Sequence, residues 1–96
     1  MAKGYWITFY RSIKDESALA RYAKLAGPII ESKGGRILGR GNPVKVYEAG
    51  VNQRSVVIEF ESVQKAIEGF ESPEYQEVAA ILKGAAERDI RIIPGV

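Results

Sequence analysis

The chain has 96 residues, 46% of them hydrophobic and 27% charged, with a formal net charge of +2. That length builds one compact core, and that composition belongs to a globular domain rather than a disordered or collagen-like chain. Cysteine and histidine are both missing, which removes disulfides, thiolate and histidine metal sites, cysteine nucleophiles and the Ser-His-Asp arrangement, so neither a metal nor a cofactor is expected. No apolar run approaches the roughly 20 residues that span a bilayer, and no signal-peptide core opens the chain. No membrane partner and a cytoplasmic location are therefore expected.

The first element is a strand over Tyr5 to Tyr10, aromatic and β-branched with few breaks. Asp15 or Ser17 can cap a helix whose apolar positions Leu19, Tyr22, Ala23, Ala26 and Ile30 share one face, with Pro28 as a kink and Gly34-Gly35 as the stop. Arg36 to Arg40 and Val44 to Glu48 read as one strand with a bulge at Gly41-Asn42-Pro43. A turn over Gly50 to Gln53 leads into a clear strand from Arg54 to Phe60. Ser62 opens a helical pattern through Phe70, and Ser72-Pro73-Glu74 restarts it with a cap, a proline at the first position and an acid in the first turn. The restarted helix is expected to reach about Ala86, before a last strand from Ile90 to Ile93. The order βαββαβ, in one domain over residues 1–96, gives an α+β fold: a four-stranded antiparallel sheet with both helices on one face.

Lys33 to Pro43 holds four glycines and two arginines in eleven residues, close in spacing to a phosphate-cradling loop. Such a loop follows a strand and opens a helix, so that free amides face the phosphate. Here the glycines end a helix and a strand follows. Arg40 and Gly41 also stand where lysine and a magnesium-binding hydroxyl belong, so the stretch reads as a helix stop and a bulge.

Alternation along the strands places Tyr5, Ile7, Phe9, Ile37, Val56, Ile58, Phe60, Ile90 and Ile92 under the helices. The opposite face then carries Trp6, Thr8, Tyr10, Leu38, Ser55, Val57 and Ile93 with Arg36, Arg40, Glu59 and Arg91. This mixture is too apolar for water and too charged for a core, so a homodimer covering it is expected. A basic stretch from Lys33 to Arg54 and an acidic one from Glu59 to Glu77 either form solvated faces or meet across that contact. RNA-recognition modules share the element order but stack bases on aromatic residues of the third strand. Ser55 and Val57 stand at those positions, so no nucleic acid partner is expected.

KGYWI at the start, GGRILGRG in the middle, RSVVIEF on the third strand, SPEYQ at the last helix and PGV at the end together resemble domain-of-unknown-function family 1330. The resemblance runs nearly the whole chain and implies a ferredoxin-like protomer of a dimeric α/β barrel, with no assigned activity. Asn42-Pro43, where the family usually has a second glycine, and the end Pro94-Gly95-Val96, where the family usually has a more conspicuous acidic ending, depart from the pattern. Wider relatives implied by the resemblance include cofactor-free monooxygenases, muconolactone-type isomerases and haem-degrading enzymes, the last relying on histidine.

The polar groups best suited to a small-molecule site are Arg40, Glu59, Arg54, Glu48, Tyr22, Ser72 and Tyr75, with Trp6 as an apolar wall. Each also has a structural role open to it: Ser72 as a cap, Tyr22 and Tyr75 as packing residues, Glu48 and Arg54 as a pair across a turn. Arg40 and Glu59, placed on one face of adjacent strands, are either a structural ion pair or the catalytic candidates, the carboxylate as base and the arginine as anion holder. Two functions follow: a dimer that binds a small anionic organic molecule, with or without cofactor-free isomerase or monooxygenase-like chemistry, or a non-catalytic ligand-binding or structural homodimer. Whether the protein is an enzyme stays open at this level.

Overall fold

The computed structural model describes residues 2–96. Strand β1 (Gly4–Ile13) leads to helix α1 (Glu16–Ser32), strands β2 (Arg36–Gly41) and β3 (Ser55–Phe60), helices α2 (Val63–Glu71) and α3 (Pro73–Ala79), a 3₁₀ turn over Ala80–Leu82, and strand β4 (Ala86–Pro94). The four strands form an antiparallel sheet in the order β2-β3-β1-β4.

The helix starts follow from capping chemistry. The Asp15 carboxylate accepts from the amides of Ser17 and Ala18, the Ser62 hydroxyl from Lys65 and the Ser72 hydroxyl from Tyr75, satisfying donors that a helix start leaves free. Helix α1 continues through Pro28. The preceding residue is Gly27, which has no Cβ to collide with the proline ring. Gly34, at φ 95°, ends the turn beyond α1. Gly84, at φ 77°, lies between the 3₁₀ turn and β4 and stops the helix short of Ala86.

Cross-strand pairing corrects the face assignment of β1. Trp6 stands opposite Ile58 and Ile92, Thr8 opposite Val56 and Ile90. Trp6, Thr8 and Tyr10 therefore lie under the helices, where all three are buried. Tyr5, Ile7 and Phe9 occupy the outer face, Phe9 with 41% of its surface exposed. Around Trp6 the rings of Tyr75, Phe70 and Phe60 lie at centroid distances of 4.8, 5.2 and 6.2 Å. This aromatic cluster is the centre of the core.

Strand β2 also differs from expectation. The register slips between Ile37 and Gly39, so the bulge lies at Leu38 rather than at Gly41-Asn42-Pro43. Beyond Gly41 the chain leaves the sheet, and residues 42–54 form a loop in place of the expected second half-strand. Its apolar side chains Val44, Val46, Tyr47 and Val51 are exposed, and Glu48 sits at φ 50°. An edge without cross-strand partners and a proline that cannot donate to a ladder explain why pairing ends there. No helix among the described residues is long and apolar enough to cross a membrane.

Candidate functional site

The register orders the helix-side face of the sheet into rows. At one end lie Ile37, Ile58, Trp6 and Ile92; next come Arg40, Val56, Thr8 and Ile90; at the far end Tyr10 pairs with Arg88, and its amide donates to the Arg54 carbonyl at 2.9 Å. The surface therefore runs from apolar to cationic along β1. Above it α1 presents Tyr22 at the cationic end, then Ala23, Ala26 and Gly27, then Ile30. Such small residues leave a gap, and a Cβ added at Gly27 would meet nothing within 4 Å. The result is a narrow cleft between helix and sheet with about 30 Å³ of room, enough for about two waters.

Three arginines, Arg40, Arg54 and Arg88, line this cleft, and no acidic residue among the described residues does. The ion pairs of the fold lie elsewhere, joining Arg11 and Arg91 to Asp89 and Lys33 to Glu74. Arg88 is instead held by phenols. Its Nη1 donates to the Tyr22 and Tyr75 hydroxyls at 3.1 and 3.0 Å, while these two oxygens are 2.6 Å apart. The guanidinium also lies 5.2 and 5.9 Å from the ring centroids of Tyr22 and Tyr10. Arg54 Nε is buried and has no hydrogen-bond acceptor among the described residues.

These neighbours fix protonation. Burial, followed by the facing Tyr75, pushes the Tyr22 phenol far above its ordinary range, although Arg88 pulls it down. Burial likewise raises Tyr10 against the pull of Arg88 and Arg54. Burial opposes the charge on Arg88, but the oxygens of Tyr75 and Tyr22 outweigh it and hold the guanidinium ionised. At neutral pH the cleft offers cations and neutral hydroxyl donors. Its lining offers no carboxylate, thiol, imidazole or amine to take a proton.

The sequence-derived candidates divide accordingly. Trp6, Tyr22, Arg40 and Arg54 line the cleft together. Tyr75 joins them from behind through Tyr22 and Arg88. Ser72 is buried at the junction of α2 and α3, where its hydroxyl donates to the Gly69 carbonyl and accepts from the Tyr75 amide. Glu48 is exposed in the loop over residues 42–54. Glu59 lies on the outer face, opposite Tyr5 and Arg36, and accepts from the Tyr5 hydroxyl at 3.1 Å. The shared face for Arg40 and Glu59 is thus corrected: the bulge at Leu38 turns Arg40 under the helices, opposite Val56. Arg88 was missed because it falls between the expected helix end near Ala86 and the expected strand start at Ile90, whereas β4 begins at Ala86. Ile90 and Ile92 are correctly placed under the helices, and continuing their alternation by two residues reaches Arg88.

No group of three or more Asp or Glu side chains among the described residues is placed to hold a metal ion. No curated protein matches the chain in sequence. Among solved structures, a protein of unknown function from Rhodopseudomonas palustris is 17% identical, with 99% of this chain and 83% of that one covered at a TM-score of 0.71. A dimeric ferredoxin-like protein of unknown function from Thermobifida fusca is 16% identical over 97% of this chain and 91% of that one, at a TM-score of 0.65. A proposed antibiotic biosynthesis monooxygenase from Nitrosomonas europaea is 16% identical over 98% and 90%, at 0.58. At these identities the likeness establishes the fold, which is ferredoxin-like. The family described as Domain of unknown function (DUF1330) matches residues 3–96, nearly the whole chain, and the protein belongs to it.

Proposed function

We propose that the protein binds a small organic anion in the cleft between α1 and the sheet. The observation that carries this reading is the set of three lining arginines without a carboxylate partner, one of them with a buried, unpaired Nε–H. A buried donor left unsatisfied costs about 1 to 3 kcal/mol, more when charged, and an incoming carboxylate removes that cost. If Tyr75 donates to Tyr22, the Tyr22 proton remains available as a further donor. Thermal unfolding with increasing organic carboxylate tests the reading: the midpoint rises and saturates for the wild type, matched chloride does not reproduce it, and Arg54→Gln loses it.

The outer sheet face supports a homodimer. Tyr5, Ile7, Phe9, Val57 and Ile93 lie there among Arg36, Glu59, Asp89 and Arg91, an apolar surface with charges of both signs that a second copy can match. The Thermobifida fusca protein of the same fold is dimeric. Lys33 and Glu74 pair within the chain at 3.2 Å, so part of the basic and acidic stretches is already matched without a partner.

A second reading is cofactor-free isomerase or monooxygenase-like chemistry in the same cleft. It is favoured by the cluster of Arg88, Tyr22 and Tyr75, since donors that hold a carboxylate also stabilise an enolate-like anion. The cleft lacks a proton acceptor, so binding is the primary reading. Mass spectrometry of a bound compound before and after incubation with the protein separates the two.

A further inference from the structure

We infer that the cleft recognises a carboxylate group and not the body that carries it: one carboxylate enters between Arg54 and Arg88, and the chain behind it stays in solvent at the mouth. The ligand class is then the unbranched monocarboxylates, held alike whatever their length. This deepens, and rests on, the reading of the cleft as an anion site.

The place comes from one row of the sheet. Phe9 pairs with Ser55, and the next amide, that of Tyr10, donates to the Arg54 carbonyl, so Arg54 stands beside Tyr10 on one side. On the other side Tyr10 pairs with Arg88. Residues opposite one another in antiparallel strands share a face, with neighbours about 5 Å apart. Two arginines therefore flank one aromatic ring on the helix side of the sheet. Burial raises the Tyr10 phenol and both Arg88 and Arg54 pull it down, which brings both charges to the same hydroxyl.

The two arginines offer different donors. Arg54 Nε is buried and has no acceptor among the described residues, whereas Arg88 Nη1 is already given to the Tyr22 and Tyr75 hydroxyls. The edge of a guanidinium presents parallel N–H groups that match the two oxygens of a carboxylate. Arg54 supplies that fork, and Arg88, fixed by the phenols, supplies the second charge.

The limit comes from room. About 30 Å³ is free, space for about two waters, which suits the two oxygens of one carboxylate and not the four of phosphate. Trp6, Thr8, Tyr10 and Ala26 are buried already, so they leave no apolar surface for a ligand body to cover. The lining opens to solvent at Ala23 and Gly27 on α1 and at Ile37 and Arg40 on β2. A longer chain leads out past these residues into water. Each methylene left in water adds nothing to affinity, whereas each one buried would strengthen binding about fourfold.

Chemical-shift titration of the intact protein with acetate, butanoate, hexanoate, acetamide and inorganic phosphate, at matched ionic strength, tests this. The three carboxylates are expected to bind within about twofold of one another, and acetamide and phosphate at least about tenfold more weakly than acetate. Arg54→Gln is expected to weaken acetate by about tenfold or more. Arg54→Lys, which keeps the charge and loses the fork, is expected to weaken it nearly as much, with unfolding in denaturant cooperative for both variants. Affinity that climbs with each methylene from acetate to hexanoate overturns the inference and leaves the anion site standing. Phosphate binding as tightly as acetate does the same. Acetamide binding as tightly as acetate, or no shift with any carboxylate, overturns the anion reading itself. Acetate binding to Arg54→Lys as it does to the wild type overturns the fork at Arg54. The chain-length series uses the wild-type protein alone and decides the inference even where a variant fails to fold.

Discussion

Arg40 and Glu59 project from opposite faces of the sheet: Arg40 pairs across β3 with Val56, and Glu59 pairs with Arg36 and Tyr5. The slip at Leu38 makes the difference, since one extra residue in a strand reverses the side on which every later side chain emerges. A double-mutant cycle on Arg40→Leu and Glu59→Gln is therefore expected to give a coupling energy within about 0.5 kcal/mol of zero. Denaturation of the two single variants and the double variant measures it, and a coupling of several kcal/mol would put the two on one face.

Ser72 holds the junction of α2 and α3 by donating to Gly69 and accepting from Tyr75. Ser72→Ala is expected to cost about 1 to 2 kcal/mol of stability and to leave ligand affinity unchanged. Urea denaturation beside a ligand titration checks both; a loss of affinity without loss of stability would assign Ser72 to the binding site.

The phenols of Tyr22 and Tyr10 are raised above the ordinary 10.0 in the folded protein, chiefly by burial. A raised phenol contributes stability that is fully present below the unfolded value and is lost as pH climbs above it. Unfolding free energy is thus expected to be flat in this respect up to about pH 10 and to fall beyond it. Tyr22→Phe should make that fall shallower. Tyrosine absorbance showing all five phenols ionising near pH 10 with the fold intact would contradict the burial of this cluster.

Sedimentation is expected to show a dimer, and Val57→Asp, which places a carboxylate in the middle of the outer face, is expected to give a folded monomer. Because Arg36, Glu59, Asp89 and Arg91 share that face, salt should weaken the dimer. A wild-type monomer at micromolar concentration would remove the interface.

The order of elements, the starts of the helices and the faces of β3 were legible because each is a local matter. Asp15, Ser62 and Ser72 need only the amides that follow them, and Val56, Ile58 and Phe60 alternate with smaller or charged neighbours. Strand β1 was not legible in the same way. Tyr5, Ile7 and Phe9 are as bulky and apolar as Trp6, Thr8 and Tyr10 taken together, so alternation has no preferred phase and only pairing with β3 and β4 decides it. The bulge at Leu38 leaves no mark in composition, which hid the side on which Arg40 emerges. Tyr22 and Tyr75 were named as candidates, but their meeting at Arg88 joins residues as far as 66 apart in sequence, a contact that no local pattern encodes.

An anion bound at Arg54 and Arg88 is reported most directly by the arginine Nε–H resonances of ¹⁵N-labelled protein. On titration with an organic carboxylate the Arg54 Nε–H signal is expected to move downfield, to exchange more slowly with solvent, and to saturate together with shifts at Arg88 and Tyr22. Shifts confined to the lysines and to the loop over residues 42–54, with the Arg54 signal unmoved at saturating carboxylate, would show that the cleft does not bind the anion.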